Sequence, residues 1–112
     1  MEQSERPWGN YKIIEKTKII TVKPNSKLSL QYHNHRDEFW KVISGEGKVI
    51  INNEIFEAKK GDTFTIPKKV KHRVITENSE FVFLEIATGD VDEEDIVRLE
   101  DDYDRIKSGG EE

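Results

Sequence analysis

The chain contains three histidines, and two of them stand together as His33-Asn34-His35. Glu38 follows three residues after His35, and His72 comes after an interval rich in turn residues. On a strand, residues 33 and 35 would send both imidazoles from the same face, because side chains at i and i+2 share a side. Three imidazoles and one carboxylate are enough to hold Zn²⁺, Fe²⁺, Mn²⁺, Ni²⁺ or Co²⁺ and still leave positions for water or a substrate oxygen. An open site of this kind suits catalysis better than structural bracing. A His-x-His pair alone is often just two surface residues, so the case for His33, His35, Glu38 and His72 as ligands depends on their surroundings.

Several other residue types near these positions could do chemistry. Arg36 and Arg73 each adjoin a candidate ligand, and with Arg98 they offer guanidinium forks that match phosphate oxygens; otherwise each is a solvated surface charge. Glu85 lies inside the apolar run Val82-Phe83-Leu84-Glu85-Ile86. A carboxylate buried there would have its pKa raised toward values useful to a general base, unless it serves as partner to a buried Arg or Lys. Lys41 is a second candidate proton carrier. Gln31 shares the His33 face by strand parity, where it could bond a substrate oxygen or orient a ligand. Trp8 and Trp40 could stack on a ligand or simply fill a core.

The elements that must position these groups read as strands. From residue 11 to 88, short β-branched and aromatic runs alternate with turn residues, and helical periodicity is weak. The expected strands cover residues 11–23, 27–34, 39–44, 48–52, 54–58, 62–67, 72–76 and 80–88. Turn chemistry marks the breaks at Pro24-Asn25-Ser26, Gly45-Glu46-Gly47, Asn52-Asn53, Lys59-Lys60-Gly61 and Glu77-Asn78-Ser79. About eight short strands predict a sandwich or a barrel closed on itself. Near the C-terminus, Ile96, Leu99, Tyr103 and Ile106 recur at three- and four-residue steps, which predicts one short helix. Leu28, Leu30 and Tyr32 alternate with Ser29, Gln31 and His33, so a cavity-facing histidine face leaves a leucine face to cover. The N-terminal arm or a second copy would cover it, and a homodimer is the expectation.

Composition sets the outer limits. A chain of 112 residues supports one domain, expected over residues 1–107, with 108–112 as a flexible tail. Charged residues make up 37% against 34% hydrophobic, so the surface must be densely ionic. No run approaches the roughly 20 apolar residues of a membrane span. The first residues carry acid where a secretory signal would carry base, so the expected compartment is the cytoplasm. With no cysteine, any metal must use nitrogen and oxygen ligands. A net charge of −5 argues against nucleic acid as a partner.

Two blocks, His33-x-His35-x2-Glu38-x6-Gly45 and Gly61-x5-Pro67-x4-His72, resemble the cupin motifs, with Lys69 where many cupins have Gly. The match narrows through Arg6-Pro7-Trp8-Gly9-x-Tyr11, Gln31-x-His33-x-His35-Arg36-x-Glu38-x-Trp40, Ile66-Pro67 with His72-Arg73, and the stretch from Glu94 to Arg105. Together these resemble type II phosphomannose isomerase, a family that also forms the C-terminal half of bifunctional mannose-6-phosphate isomerase/mannose-1-phosphate guanylyltransferases. The resemblance implies a double-sheet jelly roll with one divalent metal on His33, His35, Glu38 and His72. It also implies interconversion of mannose 6-phosphate and fructose 6-phosphate. For that reaction Arg36, Arg73, Arg98 and Arg105 are the expected phosphate anchors by guanidinium chemistry and position, and Glu85, Lys41, Gln31 and Arg73 are the catalytic candidates. No Gly-rich nucleotide-binding segment precedes Arg6, so the isomerase activity alone is expected. The chain departs from the family pattern at Ala87, at Asp104 and in the loop 89–93. A non-catalytic sugar- or metal-binding cupin, or an Fe²⁺ dioxygenase on the same ligands, stands as the alternative, because one fold hosts many functions.

Overall fold

The computed structural model describes residues 2–14, 16–89 and 94–100, and every regular element among them is a strand. They are β1 (Glu2–Arg6), β2 (Gly9–Ile14), β3 (Thr17–Val22), β4 (Leu30–Tyr32), β5 (Arg36–Ile51), β6 (Glu54–Lys59), β7 (Thr63–Ile66), β8 (His72–Ile75), β9 (Phe81–Gly89) and β10 (Val97–Glu100). All pairings are antiparallel. One sheet runs β1-β2-β3-β9-β5, with β7 on the other side of β5, and the second runs β10-β4-β8-β5, with β6 beside β5. No helix here is long and apolar enough to cross a membrane.

The two sheets share β5. Its first part pairs with β7 and β9, and its last part with β6 and β8. The crossing lies at Gly45-Glu46-Gly47, which the sequence predicts as a turn and the structure uses as a bend within one strand. A register shift between Val42 and Ser44 adds curvature, as bulges do where a strand changes sheet. Gly45 has φ +82°, and a Cβ there would sit 1.8 Å from the Glu80 carbonyl oxygen, so only glycine lets β9 come this close. The curled pair of sheets encloses one core, with Val22, Val49, Val74, Phe81 and Phe83 fully buried.

Three expectations are corrected by this arrangement. Residues 11–23 form the hairpin β2–β3 rather than one strand, because the chain reverses between Ile14 and Thr17, which pair with each other, with no Gly, Pro or Asn in that stretch to announce it. The expected helix does not begin at Ile96. Val97–Glu100 is a strand that pairs Val97 with Tyr32 and Arg98 with Gln31, so backbone bonding to the free edge of β4 outweighs a weak helical pattern. Tyr103, Ile106 and the tail 108–112 lie outside the described residues. The leucine face also breaks up: Leu28 precedes β4 and is buried in the core cluster, while Leu30 and Tyr32 are half-buried.

Candidate metal centre

The alternation along β5 sets the floor of the site. Arg36, Glu38, Trp40 and Val42 point inward and are buried, whereas Phe39 and Lys41 point outward and are exposed. His72, on β8, and His33, just past the end of β4, face the same interior. One ligating atom from each of His33, Glu38 and His72 lies within 4.8 Å of the others, and all three residues are buried. His33 Nε2 is 3.3 Å from Glu38 Oε2, and His72 Nε2 is 3.9 Å from Glu38 Oε1.

The protonation pattern suits a metal. His33 Nδ1 lies 2.6 Å from the Asp95 carbonyl oxygen and His72 Nδ1 lies 3.0 Å from that of Val70. A carbonyl only accepts, so Nδ1 carries the proton in both rings and each Nε2 turns its lone pair into the cluster. Burial pushes His33 down to about 4, with the Glu38 carboxylate pulling up and the Arg36 guanidinium pushing further down. Burial likewise lowers His72 against the pull of Glu38. Burial raises Glu38, but the neighbouring His72, His33 and Arg36 and the Trp40 indole N–H bond at 3.0 Å outweigh it, and its pKa falls. Two neutral imidazoles and one carboxylate, aimed at one point, fit a divalent ion.

His35 stands apart from this triad. The parity argument needs a regular strand through residue 35, but β4 ends at Tyr32 and the chain bends at Asn34 and His35. Asp95 holds that bend, accepting the Asn34 N–H at 2.9 Å and the His35 N–H at 2.8 Å, and the His35 side chain is left exposed. Burial raises the Asp95 pKa, but those two N–H bonds together with the nearby His35 and His33 outweigh it and bring the pKa below the ordinary value. Lys69, at the position where the motif has Gly, adopts φ +67° and donates its N–H to the His33 carbonyl oxygen at 2.7 Å.

Above the triad opens a cavity of about 180 Å³. Its basic lining is Arg6, Lys18, Arg36, Arg73 and Arg98, with Gln31 and the buried carboxylate of Glu85 between them. Of the expected site residues, Gln31, His33, Arg36, His72, Arg73, Glu85 and Arg98 therefore meet at one place. Lys41 does not, since it leaves the opposite face of β5, and Arg105 lies outside the described residues. Arg73 is committed to the protein: Nε and Nη2 donate to the Leu28 carbonyl at 3.1 and 3.0 Å, and Nη1 pairs with Glu100 at 3.0 Å. Gln31 donates to Ser29 Oγ at 2.9 Å. Trp40 packs at the triad, edge-on to His72 at 5.6 Å between ring centroids, and its N–H orients Glu38.

Arg6, Lys18 and Tyr11 are additions that motif spacing around the histidines did not supply. The N-terminal hairpin brings them in, with Arg6 Nη2 donating to the Tyr11 hydroxyl at 2.9 Å and Lys18 Nζ lying 5.1 Å from the Tyr11 ring centre. The pairing of Lys18 with Glu85 across β3 and β9 puts both on one face, a placement visible only once the sheet register is known.

An inward-facing His-Glu-His triad inside two curled antiparallel sheets is the arrangement of a cupin. Over residues 1–101 the chain matches the family model described as mannose-6-phosphate isomerase C-terminal, and it belongs to that family. It is 37% identical over 110 residues to the mannose-1-phosphate guanylyltransferase ManC of Salmonella typhimurium, and 39% identical over 107 residues to the xanthan biosynthesis protein XanB of Xanthomonas campestris. These matches cover 90% and 89% of this chain but only 22% and 23% of the relatives, so the chain spans under a quarter of their length. Among solved structures, an oxalate decarboxylase of Lactobacillus farciminis superposes with a TM-score of 0.76 over 88% of this chain and 33% of its own, at 20% identity. That likeness is one of fold.

Proposed function

We propose that this cupin is a metal-dependent aldose-ketose isomerase that interconverts mannose 6-phosphate and fructose 6-phosphate in the cytoplasm. The observation that carries the reading is a buried ligand triad at the floor of a cavity whose walls are basic and hold one buried carboxylate, Glu85. A sugar phosphate needs cations for its phosphate, an electrophile for its carbonyl and a base for the carbon-bound proton; basic side chains, residues that would hold an electrophilic metal and a carboxylate all meet at this space.

A divalent ion on His33, Glu38 and His72 would supply Lewis-acid polarisation of the sugar carbonyl. The chain's own groups do the rest. Arg6, Lys18 and Arg98 bind the phosphate and set the open-chain sugar lengthwise in the cavity. Glu85 removes the proton from C2 of the aldose and returns it to C1 while the hydroxyl proton passes from O2 to O1, so the carboxylate is regenerated and no co-reactant is consumed. Phe83, Trp40 and Ile20 on the apolar wall exclude bulk water from that transfer. Arg73 acts from behind, holding the segment at Leu28 and the strand at Glu100 in place.

The test is conversion of fructose 6-phosphate to mannose 6-phosphate by purified protein, after chelation and with Zn²⁺, Co²⁺, Mn²⁺, Ni²⁺ or Fe²⁺ restored singly. Turnover should return with metal and disappear in His33→Ala. In Glu85→Gln, kcat should fall by roughly 10²–10⁴ with metal affinity retained. Sugar-phosphate binding without turnover would favour the non-catalytic alternative, and O₂ consumption a dioxygenase. We also propose that the working form is a homodimer. Phe39 and Ile86 pair across β5 and β9 on the outer face, 40% and 36% exposed, and Ile43 adds to this apolar surface. A mass that stays monomeric in sedimentation at all concentrations would refute the dimer.

A further inference from the structure

We propose that Arg36 competes with the metal ion for the same ligand atoms and thereby sets how tightly the centre holds it. The inference rests on reading His33, Glu38 and His72 as metal ligands and goes one step beyond that reading. The Arg36 guanidinium is buried and reaches the triad with two arms: Nε donates to Glu38 Oε2 at 3.0 Å, and Nη2 meets His33 Nε2 at 3.2 Å. Because His33 Nδ1 gives its proton to the Asp95 carbonyl, Nε2 is the receiving end of the second contact.

An imidazole nitrogen has a single in-plane lone pair. It can accept an N–H from Arg36 or bind a metal ion, but not both at once. The exclusion is weaker at Glu38 Oε2, since a carboxylate oxygen has two lone pairs. It therefore falls on His33. The acceptors His33 Nε2 and Glu38 Oε2 are only 3.3 Å apart and repel unless a cation serves both, and the planar fork of Arg36 does so. Arg36 also lines the cavity, so the guanidinium has polar space to turn into when the lone pair is claimed.

A residue that only aimed Glu38 would leave a looser ligand when removed, and metal affinity would fall. A competitor gives the opposite sign. The wild-type chain and its Arg36→Gln variant would be titrated with Zn²⁺ against a chromophoric chelator, with folding checked by circular dichroism. We expect Arg36→Gln to bind Zn²⁺ more tightly by on the order of tenfold, the equivalent of one charge-assisted hydrogen bond no longer broken. A second measurement needs no variant and separates competition from simple charge repulsion: the ¹⁵N–¹⁵N coupling across the hydrogen bond from Arg36 Nη2 to His33 Nε2 should disappear in step with Zn²⁺ occupancy in the wild type. Equal or weaker affinity in folded Arg36→Gln overturns the proposal, and so does a coupling that persists at full loading. A wild type that binds no divalent ion would sink the metal reading itself and this inference with it.

Discussion

Lowering the pH should destabilise the chelated protein well above the range where carboxylates titrate, and His33 should be the main cause. Its imidazole is held neutral in the folded state down to about 4, against an ordinary value of 6.5. Between those values the unfolded chain takes up a proton that the folded chain refuses, so acid favours unfolding. Each pH unit within the window removes about 1.4 kcal/mol, so roughly 2 kcal/mol is lost between pH 6.5 and 5 and about 3 kcal/mol over the whole span. Below the folded value both states are protonated and the loss stops growing. His72 is shifted in the same direction and steepens the decline. Glu38 and Asp95 are both lowered, so their contributions persist until the pH drops below their ordinary values of 4.5 and 3.8, leaving the upper window to the histidines. Urea unfolding with chelator present, at pH 7, 6 and 5, measures the effect, and His33→Gln should flatten the profile. Equal stability at pH 7 and 5 in the wild type, or an unchanged slope in the variant, would refute the reasoning.

Other consequences can be checked independently. His33→Ala should weaken Zn²⁺ binding by more than about 100-fold while His35→Ala changes it by less than about threefold; similar losses would return His35 to the ligand set. Asp95→Ala removes both N–H acceptors at the 34–35 bend and should cost about 2 kcal/mol in urea unfolding at neutral pH. Lys69→Gly relieves a side chain held at φ +67° and should raise stability by about 1 kcal/mol, read as a higher denaturation midpoint. Replacing exposed Lys41 by Ala should leave isomerase turnover within about twofold, whereas a large loss would mean that the outer face of β5 takes part in the chemistry.

How much of this was legible in the sequence varies from residue to residue. Spacing pointed to His33, Glu38 and His72 because a motif fixes which residues lie near one another, and the structure brings those three together. It did not foresee the exposed position of His35, since i and i+2 share a face only on an unbroken strand and the chain bends at Asn34-His35. Parity from Glu38 would have placed Trp40 inside and Lys41 outside, and applying it would have removed Lys41 from the candidates. Gly45-Glu46-Gly47 reads equally as a turn between strands or as a bend within one, and only the neighbouring Glu80 carbonyl decides it. Lys18 reaches the cavity through the β2–β3 hairpin, which has no Gly, Pro or Asn at its tip, and through sheet register, neither of which leaves a local pattern; Arg6 precedes a legible turn at Pro7-Trp8-Gly9, but that turn alone does not say which cavity its strand borders.

The contact between His33 and Asp95 spans 62 positions of the chain. A ribosome releases these residues in order, so His33 emerges long before the carbonyl that fixes its tautomer. Until the strand Val97–Glu100 docks on β4, the ring is free to present either nitrogen, and the Asn34–His35 bend lacks its acceptor. Tight metal capture should therefore come late in the life of the nascent chain. Stalled chains ending before residue 94 should bind Zn²⁺ poorly, however complete their sheets.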